Sequence, residues 1–183
     1  MPLDFIEAPA QFLEEWSWDT RTLAAMTANE KGEPIPDELV RKLNAARQLD
    51  RAWYSHYTLA DAALSLALHD GRPDFDIATV VEQQYARFLP PPPPPGDHGY
   101  ASFLHLNGYS ALYYTYAWSE AIAEDLLSRF RAEGMHNRAV AQRYRRLVLD
   151  PGASQHPDTM IRNFLGRPLS LEAFGRALRS PAP

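Results

Sequence analysis

"YSALYYTYAWSEAIAEDLLSRFRAE", Tyr109–Glu133, decides the fold class. Its spacing predicts one strong helix over the whole stretch, stopped by Gly134. Tyr109, Tyr113 and Tyr116 stand at offsets of four and seven, so on such a helix they share a face, one turn apart. Tyr114 points elsewhere. His105 lies one turn upstream, across an Asn107-Gly108 bend.

Working outward, the same periodicity recurs almost everywhere. Pro9 suits a first helical turn, and Phe12, Leu13, Trp16, Leu23 and Met26 follow near the 3.6-residue period. "KGEPIPDE", Lys31–Glu38, interrupts it. Pro36 and Asp37 open a helix with apolar residues at Leu39, Val40, Leu43, Ala46 and Leu49. It runs on through Trp53, Tyr57 and Leu64 to Leu68, as one long helix or two with a kink, and ends near "HDGRPD". Asp76–Phe88 reads as a shorter amphipathic helix. "LPPPPPPG", Leu89–Gly96, is an extended, stiff connector, since proline has no N–H to donate and favours polyproline II. Asn137 caps a helix to Leu149, closed by "DPG". His156–Leu165 and Ser170–Leu178 are short helices divided by "GRP", with Ser170 a good cap, and "SPAP" is a frayed tail. No strand pattern, internal repeat or glycine-rich phosphate loop is present. The expectation is an all-α chain forming a single helical domain over 1–183, with helices in 1–89, a polyproline connector at 90–96 and further helices in 97–183.

The totals narrow the function. The 183 residues, 45% of them hydrophobic, suffice for one core, and the mean hydropathy is −0.39. The net charge of −5, with no basic cluster, argues against nucleic acid, whose phosphates need a positive face. With no cysteine there is no disulfide and no thiolate metal site. "MPLDFIEAPA" has neither a basic start nor an apolar run, and no stretch nears the roughly 20 apolar residues of a membrane span. No membrane association and a cytoplasmic location are therefore expected.

Phenol O–H and imidazole N–H groups are good donors to a developing oxyanion or a peptide carbonyl. Converging on one surface, His105 and the three tyrosines suit that chemistry. The same spacing suits a stripe packed into a core, and spacing alone leaves both open. Glu14, two turns from Glu7, suits either an outer contact to a metal or a solvated helix surface. Arg143–Leu147 reads as an ion-paired helix face, Trp118 as core, and Arg162 and Arg167 as cations able to meet a peptide carboxylate.

"HLNGYSALYYTYAWSEAIAEDLLSRF" resembles the C-terminal signature of the thimet-oligopeptidase family of zinc peptidases: His, a glycine turn, Tyr, Ala, Tyr-Tyr, Tyr and Trp-Ser/Ala-Glu. Collinear pieces extend the resemblance over nearly the whole chain. "DFIEAPAQFLEEWSWD" resembles the family's Asp-Phe-Val-Glu-Ala-Pro-Ser-Gln segment and the helix after it. "GEPIPDELVRKLNAAR" resembles the next loop and helix, "PPGDHGYASFLHL" the Pro-Gly-Thr-His segment, and "FLGRPLSLEAF" the closing Gly-Arg-Pro segment. The resemblance implies that Glu7 is a zinc ligand, that His105 and Tyr116 hold the transition state, and that Tyr109 and Tyr113 bind substrate. Asn107-Gly108 stands where many members have a glycine pair, which leaves the placement of His105 open.

The family's other two zinc ligands and its general base come from His-Glu-x-x-His, where the i, i+4 spacing puts both imidazoles on one helix face. None of the six histidines here is followed by Glu, and no two are four apart. In the family that motif lies upstream of the Glu7 segment, and this chain starts six residues before Glu7. One carboxylate is not a zinc site, so zinc and hydrolysis are expected only with a complementary chain that carries the motif. His98 and His105, seven residues apart, are the other histidine pair whose spacing suits two helical turns, although His98 follows "PPG". Three readings follow: the C-terminal half of a metallo-oligopeptidase catalytic domain, a non-catalytic peptide-binding or interaction domain derived from it, or a helical domain whose aromatics are core. A half domain leaves an apolar face, with Phe12, Trp16, Trp18, Trp53 and Tyr57 as candidates, so a homo-oligomer or a complementary metallopeptidase subunit is the expected partner, beside a short peptide.

Overall fold

A computed structural model describes residues 1–71, 74–94 and 96–179. Parts of the expected "HDGRPD" terminus and polyproline connector, and the whole "SPAP" tail, lie outside the described residues. Among the described residues there is no strand, and the chain is all-α. The α-helices are α1 (Ala8–Glu14), α2 (Thr20–Met26), α3 (Asp37–Leu49), α4 (Arg51–Ala67), α5 (Ile77–Phe88), α6 (His105–Gly108), α7 (Thr115–Glu133), α8 (Arg138–Tyr144), α9 (Pro157–Leu165) and α10 (Glu172–Arg179). They fall into two units: Met1–Arg51 with Ser119–Pro183, and Ala52–Trp118. The described prolines after Leu89, 90–94, lie within the second unit.

The helix boundaries follow local chemistry. The Asp19 carboxylate accepts from the backbone N–H and the hydroxyl of Thr22, starting α2. Asp76 does the same with Thr79 at α5, and Asn137 accepts from the N–H groups of Ala139 and Val140 at α8. Ser170 Oγ accepts from the Glu172 N–H at α10. Of the two expected forms of the stretch through Leu49, one long helix or two with a kink, the second is found, with a break at Asp50 between α3 and α4. The helix expected to run to Leu149 passes into a π-helical turn at Arg145–Leu149. α9 closes at Gly166, in the left-handed region at φ 77°, where a side chain would be strained.

The first unit's core is aromatic at its centre. Phe5, Phe12, Leu126, Leu127, Phe130, Tyr144, Val148, Met160, Ile161 and Phe164 bury together, drawn from the 3-10 turn Leu3–Phe5, α1, α7, α8 with its π turn, and α9. Phe12 stacks on Tyr144 at 4.2 Å between ring centroids and meets Phe130 edge-on at 5.3 Å. Trp16 packs edge-on against Phe130 at 5.2 Å, and its indole N–H donates to the Met135 carbonyl at 3.1 Å. Phe12, expected among exposed aromatics, is thus at the core. By contrast Val40 alone of the large apolar residues of α3 is buried, while Leu39, Leu43 and Leu49 are exposed.

Two adjacent acids on α7 are also buried, Glu124 at 2% exposure and Asp125 at 1%. Arg167 forks onto Asp125 with N–H···O distances of 2.8 and 2.6 Å, and the Ser170 N–H donates to the same carboxylate at 2.8 Å. Arg167 is therefore a structural cation, committed within the fold rather than open to a peptide carboxylate; Arg162 is exposed on α9. Glu124 accepts from Arg51 and Arg131, each at 2.6 Å. Burial alone would raise its carboxyl, but the hydrogen bonds and charges of those two guanidiniums hold it below the usual range.

The second unit has a smaller core of Ala60, Leu64, Val80, Val81, Tyr85 and Leu89, from α4, α5 and the start of the proline run, with Phe103 and Tyr100 packed against it. Trp53 and Tyr57 are 47% and 44% exposed, and Trp118, expected as core, is 38% exposed.

Replacing Phe12 by Ala removes the ring that touches three other aromatics, and should cost about 3–5 kcal/mol in urea unfolding. Leu13→Ala, on the exposed side of the same helix, should stay within about 0.5 kcal/mol.

Candidate functional site

The tyrosines converge, but not on a helix. α7 begins at Thr115, so Tyr109 and Tyr113 precede it and only Tyr116 is helical. The expected one-face stripe is replaced by a coil of turns. The Tyr109 N–H closes α6 onto the His105 carbonyl at 2.8 Å, Leu112 N–H bonds Tyr109 at 2.8 Å, and Thr115 N–H bonds Leu112 at 3.0 Å. Ala111 sits in the left-handed region at φ 58°, a conformation that ends helical continuation for a non-glycine residue. This reversal brings the chain back on itself.

The result is an imidazole ringed by phenols. The His105 ring centroid lies 5.6 Å from Tyr109, 5.1 Å from Tyr113 and 5.7 Å from Tyr116. Tyr116 is 5.1 Å from Tyr113 and 6.1 Å from Tyr109. His105 Nε2 and the Tyr116 hydroxyl are in hydrogen-bond contact at 3.3 Å. All four residues are half-buried, whereas Tyr114 is exposed. Phe103 supports the ring of phenols, edge-on to Tyr113 at 4.9 Å. His98 instead meets Tyr100, and among the described residues no group of three His, Cys, Asp or Glu side chains could hold a metal ion.

Beneath this group sits a carboxylate that the sequence reading passed over. Asp61 on α4 is 5% exposed and accepts the Tyr85 hydroxyl at 2.8 Å. Burial raises its carboxyl, opposed by the Tyr85 hydrogen bond and by the nearby His105. Tyr57, one turn before it, packs near Tyr85 with ring centroids 6.2 Å apart. Burial first, and then the Asp61 charge and neighbouring phenols, push the Tyr113 hydroxyl up to about 12. Tyr113 therefore keeps its proton, and its donor capacity, well past neutral pH. The available signal was one acid in "TLADAALSLAL", a stretch otherwise apolar and small.

Glu7 belongs to the first unit. It is the N-cap of α1, with Pro9 in the first turn, and its carboxylate makes no hydrogen bond or ion pair among the described residues. Its segment is fixed by buried Phe5 and by Ser119 Oγ, which donates to the Asp4 carbonyl at 3.1 Å. Glu14, at the end of α1, is exposed, the solvated use of that position.

A raised carboxyl makes a signed prediction. The folded state holds the Asp61 proton more tightly than the unfolded chain, so ionisation of Asp61 opposes folding and stability falls as pH rises through its folded pKa. Asp61→Asn, which keeps an acceptor for Tyr85, should melt higher than the parent at pH 7. That gap should shrink towards zero as pH falls to the ordinary carboxylate range. Thermal melts followed by circular dichroism at pH 4 and pH 7 measure it.

Comparison with known proteins gives consistent matches. The model of peptidase family M3 matches residues 1–180. Oligopeptidase A of Escherichia coli is 34% identical over 180 residues, covering 95% of this chain and 26% of that protein. Organellar oligopeptidase A of Arabidopsis thaliana is 33% identical over 186 residues, covering 94% and 23%. Saccharolysin of Saccharomyces cerevisiae is 30% identical over 185 residues, covering 97% and 26%. The chain thus spans about a quarter of the length of the curated relatives it matches.

Proposed function

Since the chain belongs to peptidase family M3, we propose that it is the part of a zinc metallo-oligopeptidase catalytic domain that binds peptide and holds the transition state, cutting only when His-Glu-x-x-His is supplied. The observation that carries this reading is the imidazole of His105 enclosed by three phenols, one of them in hydrogen-bond contact. His105 and Tyr116 donate to the oxyanion that forms on a scissile carbonyl. Tyr109 and Tyr113 donate to carbonyls of a short peptide, and Tyr113 stays protonated at working pH.

The residues of this chain do not by themselves fit a catalytic zinc, which takes three protein ligands and a water. Glu7 offers one carboxylate, and no cluster of three ligands exists among the described residues. The histidine pair must come from another segment or subunit, with Glu7 as the third ligand. The exposed Leu39, Leu43 and Leu49 of the first unit, and Trp53 and Tyr57 of the second, each support a covered surface, filled by that complementary subunit or by a second copy of the chain. The runner-up reading is a non-catalytic peptide-binding or interaction domain of the same descent. It rests on the same phenols and the missing motif.

The isolated chain should contain no stoichiometric zinc by elemental analysis and leave a quenched fluorescent peptide uncut. Mixed with a protein that carries His-Glu-x-x-His, it should gain both. In that mixture Glu7→Gln should lose zinc, while Tyr116→Phe should keep zinc and lose about 10²–10³-fold in kcat. A mixture that gains neither metal nor cleavage excludes the catalytic reading. Peptide binding that weakens in Tyr109→Phe and Tyr113→Phe would then support the binding domain.

A further inference from the structure

We propose that the cavity of the first unit bounded by α3, Arg51, α7 and α10 binds a small organic polyanion, a phosphate ester or a polycarboxylate. The cavity has a volume of about 430 Å³, and its lining is Gln48, Arg51, Ser128, Arg131 and Arg176 over the methyl groups of Ala173 and Ala177. That size is within the range of small-molecule pockets, and an apolar floor with convergent polar groups is their usual make-up. None of these residues has a part in the peptide reading above.

The sign of the lining is the main argument. It carries three guanidiniums and no carboxylate. The acids that balance the cations lie elsewhere: Glu120 and Glu124 hold Arg51, and Glu124 and Glu15 hold Arg131. These pairs do more than neutralise charge. They fix two guanidiniums in place before any ligand arrives, which lowers the ordering cost of binding. Glu172 approaches Arg176 at 3.8 Å, but both side chains are well exposed and the contact is weakened by solvent.

Donors remain for a ligand. A guanidinium has five N–H groups, and Arg131 uses one on Glu124 and one on Glu15. The Gln48 carboxamide is half-buried and makes no side-chain hydrogen bond among the described residues. Guanidinium forks and an amide N–H₂ together match the oxygen-rich, planar or tetrahedral faces of carboxylate and phosphate.

Isothermal titration of the full chain at fixed ionic strength tests this, with pyrophosphate and citrate as probes and chloride as the control. Saturable one-site binding of pyrophosphate or citrate is expected, and whichever binds more tightly assigns the phosphate or the carboxylate class. Arg176→Gln and Gln48→Leu, both changed at partly or well exposed positions, should each weaken it about tenfold, the size of one charge-assisted hydrogen bond. Arg145→Gln, outside the cavity, should leave it unchanged. The proposal fails if neither probe gives heat beyond the chloride control, or if Arg145→Gln weakens binding as much as Arg176→Gln does.

Discussion

Burying two neighbouring carboxylates on one helix is the constraint that the first unit is built around. A buried charge is tolerated only when it is paired and hydrogen-bonded. Successive residues on a helix point about 100° apart, so Glu124 and Asp125 need partners from different directions. Glu124 takes its cations from the start of α4 and from α7 itself, and Asp125 takes Arg167 and a backbone N–H from the segment after Gly166. The acids thus dictate where the chain must return after α9. Gly166 provides the left-handed turn that makes the return possible.

The second unit solves a different problem. Its donors must gather around one imidazole without being lost to one another or to a hydrophobic core. Turns do this better than a helix, because a helix spreads residues at offsets of four and seven along about 10 Å of axis. The break at Ala111 and the late start of α7 draw Tyr109 and Tyr113 back over His105. Asp61 and Tyr85 below supply a polar floor, and burial together with the Asp61 charge keeps the Tyr113 phenol protonated.

Much of this was legible in the amino-acid sequence. The helical class followed from apolar period, and Asn137 and Ser170 announced helix starts through cap chemistry. The four residues of the His105 cluster could be singled out by type and spacing, but their geometry could not. Nothing local in "NGYSALYY" forces a left-handed alanine; tertiary packing of Phe103 and Tyr113 overrides helix propensity there. Phe12 and Trp118 exchanged their expected places because periodicity gives a face and not the depth to which that face is covered. Arg167 looked like a free cation because its partner is 42 residues away.

The tryptophans divide evenly between the two units, Trp16 and Trp18 in one and Trp53 and Trp118 in the other. Trp16 is wedged against Phe130 with its indole N–H held by a carbonyl, surroundings in which indole emission lies further to the blue for as long as that core is intact. Trp53, 47% exposed in the isolated chain, has the wetter surroundings in which indole emission lies further to the red. Each unit therefore has its own optical reporter, and whether the two halves melt together or apart is written in the colour of the protein's fluorescence.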